Sequence, residues 1–251
     1  MQRIIVEKLK EIERNENIKI LFAVESGSRA WGFASPDSDY DVRFIYVRPK
    51  EFYLRLDKTR DVIELPINDE LDINGWDLKK ALTLLHNSNP TLFEWLSSPI
   101  VYCKTDFMDN NCEKLNSYFS AKKSLYHYLH MAENNNREFL RDDIVKLKKY
   151  FYVLRPILAC KWILEHKSQP PMQFKRLVDA QLPDYIRDEV DELLERKINA
   201  PEIKNIKRVE KINDYIEHSI TEIKQSLDTI LPEKDKDWNE LNEIFLSELH
   251  C

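Results

Sequence analysis

The chain has 251 residues, 43% of them hydrophobic and 33% charged, with a formal net charge of −6. This length suits one large domain or two smaller ones, and the apolar content excludes a wholly disordered chain. The longest apolar stretch, residues 151–164, is interrupted by Arg155, Pro156 and Lys161, so no segment approaches the ~20 apolar residues of a membrane span. Because residues 1–14 also lack the apolar core of a signal peptide, we expect a cytoplasmic protein.

Residues 1–104 alternate short apolar runs with helical periodicity, which predicts strands interleaved with helices. Asp77 stands where one of these helices begins, and its carboxylate is a natural N-cap. The elements predicted here are, in chain order, a helix at residues 2–14, a strand at 18–25, a turn at 26–28 followed by a brief helix, a strand at 40–48, strands at 60–66 and 70–76 joined by a polar turn at 68–70, helices at 77–87 and 90–95, and a short strand at 100–103.

From residue 105 onward the pattern changes to long helical periodicity with no strand signal. Strands followed by helices predict an α+β chain, with a mixed head over residues 1–118 and an all-α domain over residues 119–251. The helices predicted in the second part lie at residues 105–118, 121–139, 143–166, 173–180, 184–198, 204–231 and 236–248.

Glycine is scarce, and its few positions mark a part of the chain with special backbone requirements. At an ordinary usage of about 7%, a chain of this length would hold roughly seventeen glycines. It holds three, Gly27, Gly32 and Gly75. Since glycine tolerates positive φ and the close approach of a ligand, these positions belong either to a binding loop or to ordinary turns.

Gly27-Ser28 and Asp39-x-Asp41 form the most informative spacing in the sequence. Gly27-Ser28 follows a predicted strand and opens a helix, so its backbone N–H groups favour a phosphate. Asp39 and Asp41 open the next strand and share one face of it, where two carboxylates repel each other unless a cation bridges them. Their oxygens suit Mg²⁺ or Mn²⁺, and a phosphate cradle beside such a pair is typical of phosphoryl or nucleotidyl transfer.

A third carboxylate on a neighbouring strand would complete such a metal site. In Leu71-Asp72-Ile73 the two apolar residues face the core, so Asp72 faces the same way as the predicted site. Asp77 is the alternative third acid, although its position just before a helix is that of a cap.

The wider segments ESGSRAWGFASPDSDYDVRFIYV, LDINGWDLKKAL and NPTLFEWLSSPIVY extend this pattern. The Gly-Ser, Asp-x-Asp and third-acid arrangement resembles the DNA polymerase β-like nucleotidyltransferase superfamily. The wider segments resemble one branch, the predicted nucleotidyltransferases called RlaP or YcgL-like, an RNA-ligase-associated Pol β group. The resemblance extends over residues 20–180. It implies a Pol β-type palm, a mixed sheet flanked by helices, followed by an all-α domain.

The resemblance also implies a role for each residue of the motif. Asp39, Asp41 and Asp72 would be the catalytic acids that hold two divalent metal ions, Mg²⁺ or Mn²⁺, and Asp72 would help to activate the attacking hydroxyl. Gly27 and Ser28 would hold the triphosphate of an incoming NTP.

Residues 141–176 carry nine Lys or Arg residues against three Asp or Glu, a basic island in an acidic chain. Such an island favours a local anionic ligand, or it is a solvated helix face or a surface for an acidic partner. Three of its residues, at positions 148, 152 and 155, are spaced to share one face of a helix. Since the helical domain contacts the nucleotide phosphates in the superfamily that the sequence resembles, the resemblance implies that Lys148, Lys149, Tyr152 and Arg155 bind the NTP.

The activity implied by the resemblance is transfer of NMP from an NTP to an acceptor hydroxyl, with release of pyrophosphate. The name of the branch implies an RNA end, such as that of tRNA, as the acceptor. Three alternatives stay open: transfer to a protein hydroxyl, a non-catalytic module that binds nucleotide or RNA, and a metal-dependent phosphodiesterase that uses the same acids. Arg43 shares the carboxylate face of its strand, where it would either pair with Asp41 or contact the substrate.

Overall fold

The computed structural model describes residues 1–66, 70–199, 205–227, 230, 233 and 236–249. The helices are α1 Gln2–Glu16, α2 Gly27–Trp31, α3 Lys50–Tyr53, α4 Leu78–His86, α5 Pro90–Leu96, α6 Asp106–Ser117, α7 Ala121–Phe139, α8 Leu147–His166, α9 Phe174–Gln181, α10 Asp184–Ile198, α11 Glu210–Ser226 and α12 Asn239–Glu248. The strands are β1 Lys19–Glu25, β2 Tyr40–Val47, β3 Val62–Glu64, β4 Leu71–Asp77, β5 Val101–Lys104, β6 Ile144–Lys146 and β7 Asn205–Lys207.

Strands β1 to β5 form one mixed sheet in the order β3-β4-β2-β1-β5. Strand β2 pairs with β1 in the antiparallel sense and with β4 in the parallel sense. In this register Asp41 of β2 lies beside Asp72 of β4, and side chains paired across neighbouring strands project from the same face. The mixed sheet that the sequence predicts is confirmed, and it brings these two aspartates together.

Helix α1 covers one face of the sheet because its apolar residues repeat at helical spacing. Ile5, Leu9 and Ile12 are buried and share a core cluster with Val42 and Phe44 of β2. Successive side chains of a strand alternate between its two faces. Asp41 and Arg43 therefore lie on the face opposite to Val42 and Phe44.

The chain divides into two compact units. Unit 1 comprises Met1–Ala30, Asp39–Tyr118 and Asp235–Cys251, and unit 2 comprises Trp31–Ser38 and Phe119–Lys234. Unit 1 holds the five-stranded sheet. The chain changes from unit 1 to unit 2 after residue 118, which is where the sequence predicts the domain boundary. Residues 31–38, expected in the first domain, belong to unit 2, and residues 235–251, expected in the second, belong to unit 1. The division into a catalytic and a helical domain stays a prediction.

Unit 2 is built around α8, whose buried residues occur on all sides of the helix, as expected of a helix inside a core. Two buried aromatic side chains of α8 contribute in different ways. Phe151 packs against Phe33 with ring centroids 5.1 Å apart. The hydroxyl of Tyr150 donates to Oδ1 of Asn213 and accepts the backbone N–H of Val209, both at 2.8 Å. The second contact satisfies a polar group within an apolar core.

Most of the predicted elements are present with small shifts at their ends, but residues after 105 include strands that the periodicity does not predict. Residues 144–146 and 205–207, expected at the starts of two helices, pair as an antiparallel ribbon that buries Val145 and Ile206. The expectation of no strand in this part is therefore wrong, because strands of three residues so far apart in sequence leave no local periodic signal. The short helix α3 was also not predicted, and the turn at 68–70 lies mostly outside the described residues.

In the described ranges, none of the helices combines the length and the apolar character needed to cross a membrane.

Asp77 stabilises the start of α4, and we expect its loss to lower the free energy of unfolding. Its Oδ1 accepts the backbone N–H of Lys79 and its Oδ2 accepts the hydroxyl of Tyr53, both at 2.8 Å. Asp77→Ala removes both hydrogen bonds from a buried position, which should cost about 1–3 kcal/mol in urea denaturation. Asp77→Asn keeps a capping oxygen and should cost less. An alanine variant as stable as the wild type would contradict the capping role.

Candidate functional site

Asp41 and Asp72 are held together by a single arginine. Nη2 of Arg43 donates to Oδ1 of Asp41 at 3.0 Å and to Oδ2 of Asp72 at 2.7 Å. Its Nη1 donates to the backbone carbonyls of Asp72 at 2.8 Å and of Val42 at 3.1 Å. Of the two alternatives for Arg43, the structure therefore shows pairing with Asp41, extended to Asp72 as well.

Gly27 lies directly against the Asp41 carboxylate. Its φ is +56°, and a Cβ added there would overlap Oδ2 of Asp41 and come within 2.9 Å of the carboxyl carbon. The backbone N–H of Ser26 donates to the carbonyl of Asp41 at 2.8 Å, which fixes the loop to the start of β2. Glycine is thus needed here both for its positive φ and for the close approach of an acidic side chain.

Glu25 is a site residue that sequence reasoning missed. It is fully buried, its Oε1 accepts the backbone N–H of Asp41 at 2.8 Å, and its Oε2 accepts the hydroxyl of Tyr102. Burial raises the pKa of Glu25, and these two hydrogen bonds oppose that rise. The signal was available, because Glu25 is the acidic residue that ends the apolar strand KILFAVE just before the glycine loop.

Among the described residues, Asp39 does not join this acid pair in a three-residue metal-binding group. It precedes β2 by one residue and is exposed, while its backbone carbonyl accepts Nε of Arg29 at 3.1 Å. Arg29 also stacks on Tyr40, 3.7 Å from the ring centre. Ser28 is half-buried in α2 beside Gly27. Because α2 has only five residues, its summed peptide dipole is small, so phosphate binding here would depend mainly on backbone N–H groups.

Asp77 lies at the other end of β4, opposite Tyr46 of β2. Both of its carboxylate oxygens are engaged, in the helix cap and with Tyr53, and burial raises its pKa. Asp72, beside Asp41, is therefore the better placed of the two candidates for the third acid.

The predicted nucleotide-binding residues of α8 lie in unit 2 and occupy different environments. Lys148 and Tyr152 are half-buried. Lys149 lies with its Nζ 3.4 Å from the ring centre of Phe139 and 5.0 Å from that of Tyr152. Burial, followed by the nearby charge of Lys148, lowers the pKa of Lys149. That these residues bind nucleotide stays a prediction.

Arg155 is buried, with 3% of its surface exposed. Its guanidinium lies 4.6 Å from the ring centre of Trp31, and its Nε and Nη2 both donate to the carbonyl of Met172 at 3.4 Å. Stacking and long hydrogen bonds of this kind support packing within unit 2. The nucleotide role expected for Arg155 stays a prediction.

The donor set of Asp41 and Asp72 fits a divalent metal ion. Each carboxylate keeps 29% of its side-chain surface exposed, so an ion can reach it from solvent, and its hard oxygens suit Mg²⁺ or Mn²⁺. The part of the chain that the structure describes contains no group of three His, Cys, Asp or Glu residues arranged to hold a metal. The expected trio of Asp39, Asp41 and Asp72 is therefore brought together only as a pair.

Comparison with known proteins agrees with the resemblance inferred from residues 20–180. The family described as RlaP, the RNA repair pathway DNA polymerase beta family, matches residues 1–247. The chain belongs to this family. It is 47% identical over 249 residues to "Uncharacterized protein YcgL" of Bacillus subtilis (strain 168), a match that covers 98% of this chain and 96% of that protein. The resemblance is confirmed, and it continues past residue 180 to residue 247.

A solved structure, that of a nucleotidyltransferase-like protein from Exiguobacterium sibiricum 255-15, is similar over 98% of this chain and 79% of its own. The sequence identity is 13% and the TM-score is 0.33.

The importance of the contact between Gly27 and Asp41 can be tested by substitution of Gly27, with Gly32 as the control position. Gly27 and Gly32 both have positive φ, +56° and +87°, but a Cβ at Gly32 would meet nothing within 4 Å. Gly27→Ala and Gly32→Ala should thus share the cost of backbone strain, while only Gly27→Ala displaces the Asp41 carboxylate. We expect Gly27→Ala to weaken Mn²⁺ binding by about 10–100-fold and Gly32→Ala to leave it unchanged, as measured by calorimetry. Equal Mn²⁺ affinities in the two variants would contradict this account.

Proposed function

We propose that this protein is a metal-dependent nucleotidyltransferase that moves NMP from an NTP to an acceptor hydroxyl and releases pyrophosphate. The observation that carries the proposal is the register of Asp41 and Asp72 on neighbouring strands, with Gly27 against the Asp41 carboxylate. Membership of a DNA polymerase beta family supports it.

In this proposal Asp41 and Asp72 hold Mg²⁺ or Mn²⁺, with Asp39 as a further ligand. A divalent ion bound there would stabilise negative charge on the phosphoryl group. Gly27 and Ser28 orient the triphosphate through their backbone N–H groups. The carboxylate of Asp72 would also help to activate the attacking hydroxyl by accepting its proton. The acceptor oxygen then forms a bond to the α-phosphorus, and the bond from that phosphorus to the bridging oxygen of pyrophosphate breaks.

Helix α8 supplies the predicted cations for the phosphates, with Lys148 and Lys149 as the charged members and Tyr152 as a hydroxyl donor. A triphosphate carries up to four negative charges, so an acidic protein needs a local basic surface to attract it. Arg155, the fourth predicted member of this set, is buried and stacks on the ring of Trp31.

We propose an RNA end as the acceptor, and the description of the family as part of an RNA repair pathway supports this choice. The test incubates the protein with each α-³²P-labelled NTP, Mg²⁺ or Mn²⁺, and a total RNA pool. Label that enters RNA and requires the metal is the expected result. Label that enters only protein would favour protein nucleotidylation, and RNA cleavage without incorporation would favour a phosphodiesterase. Nucleotide binding without either reaction would favour a non-catalytic module.

The acid residues should be essential to transfer but not to folding. We expect Asp41→Asn, alone or combined with Asp39→Asn, and Asp72→Ala to lower kcat by about a hundredfold or more. Asp72→Ala should retain most NTP affinity, because Asp41 still binds the nucleotide metal. Asp57→Asn is the matched control, since Asp57 is an exposed carboxylate paired with Arg55. Full activity in the Asp39→Asn/Asp41→Asn double variant would reject the site.

Lys148 and Arg155, the lysine and the arginine of the predicted α8 face, should respond differently to substitution. Lys148→Ala should raise the KM for NTP by about tenfold without lowering Tm, because charge-assisted contacts are worth about 1.5–3 kcal/mol. Arg155→Ala should mainly lower Tm, since it removes a buried side chain from Trp31. Steady-state kinetics and thermal denaturation measure the two effects. Unchanged KM in Lys148→Ala would show that the face is only solvated.

A further inference from the structure

Arg43 makes more contacts with the acid pair than orientation of one carboxylate requires. One of its terminal nitrogens donates to both Asp41 and Asp72, and the other donates to two backbone carbonyls of the same strands. Only 18% of the side chain is exposed. The guanidinium is thus a fixed cation between two carboxylates, the position where a shared divalent ion would balance the same charges.

Arg43 and a divalent ion compete for the same negative charge. Arginine stays protonated at any ordinary pH, so its charge cannot be removed when a metal ion arrives. Two cations held by the same pair of carboxylates repel each other strongly where water is partly excluded. Binding of a metal ion to Asp41 and Asp72 is therefore opposed by the charge of Arg43, and release of Arg43 from at least one carboxylate relieves that repulsion.

The other groups near the pair do not offer a second resident cation among the described residues. Arg29 is engaged with the carbonyl of Asp39 and the ring of Tyr40. Asn74, which lies opposite Arg43 in the ladder, donates to Glu64. Glu25 adds a further acid rather than a cation, at the backbone of Asp41.

We propose that Arg43 is a built-in counter-ion of the acid pair, which preserves the site without metal and is displaced from at least one carboxylate when a divalent ion binds. This inference rests on the proposed function, because it takes Asp41 and Asp72 as metal ligands. In this role Arg43 is a positioning residue. It sets how tightly the site binds metal, since every binding event must also break an arginine–carboxylate contact.

The test measures Mn²⁺ affinity by calorimetry and by the electron paramagnetic resonance signal of free Mn²⁺. Arg43→Met retains an unbranched apolar stem without the charged guanidinium, and Arg55→Met is the matched control, because Arg55 pairs with Asp57 on the surface. We expect Arg43→Met to bind Mn²⁺ about tenfold more tightly than the wild type and to have a lower Tm without metal. The control should bind as the wild type does. Unchanged or weaker Mn²⁺ binding in Arg43→Met would overturn the proposal.

A second measurement covers the case in which Arg43→Met does not fold. A crystal of the wild-type protein soaked in MnCl₂ locates the ion by its anomalous scattering. Manganese at Asp41 and Asp72 with Nη2 of Arg43 released from at least one of them is the expected result. Manganese bound while both contacts persist, or no manganese at these carboxylates, would overturn it.

The outcome can be separated from that of the proposed function. Metal competition with Arg43 but no NMP transfer to any acceptor would reject the proposed function and leave the counter-ion role standing. NMP transfer with Mn²⁺ affinity unaltered by Arg43→Met would do the reverse.

Discussion

Two like charges fixed at the same level of neighbouring parallel strands impose the constraint on which the rest of the site depends. Backbone hydrogen bonds set the register of β2 and β4, so Asp41 and Asp72 cannot move apart to relieve their repulsion. A cation on the same face is the available solution, and Arg43, two residues after Asp41, supplies it. The pairing of β2 with β4 thus creates a site for a cation, and Arg43 of β2 occupies that site.

The same constraint explains the residues around the pair. Gly27 leaves room for the Asp41 carboxylate, which any Cβ would displace. Glu25 holds the backbone N–H of Asp41 from the neighbouring strand, and its second oxygen is occupied by Tyr102. Burial raises the pKa of Glu25, and these two hydrogen bonds to its carboxylate oxygens oppose that rise. Glu25 therefore positions the backbone of Asp41. Asp41 and Asp72 are partly exposed and remain open to a ligand.

Local sequence patterns predicted which face of a strand a residue occupies and where a helix begins. Alternation in β2 and β4 places Asp41 and Asp72 on one face, and the position of Asp77 before α4 identifies it as a cap. The pattern could not show that one arginine contacts both acids, because that depends on the parallel pairing of strands about thirty residues apart. It also missed the β6–β7 ribbon and placed residues 31–38 with the sheet, whereas Phe33 packs among the aromatic rings of unit 2.

Helix α8 illustrates a further limit of spacing arguments. Residues at positions 148, 152 and 155 share a face by helical geometry, yet the face changes from half-buried at Lys148 to buried at Arg155. The change has a physical cause, because the ring of Trp31 and the carbonyl of Met172 satisfy the guanidinium where it enters the core. An arginine accommodated in this way contributes its planar surface more than its charge. Two cations about two turns apart on one predicted helix face can therefore lie in different environments, and the burial of each shows the difference.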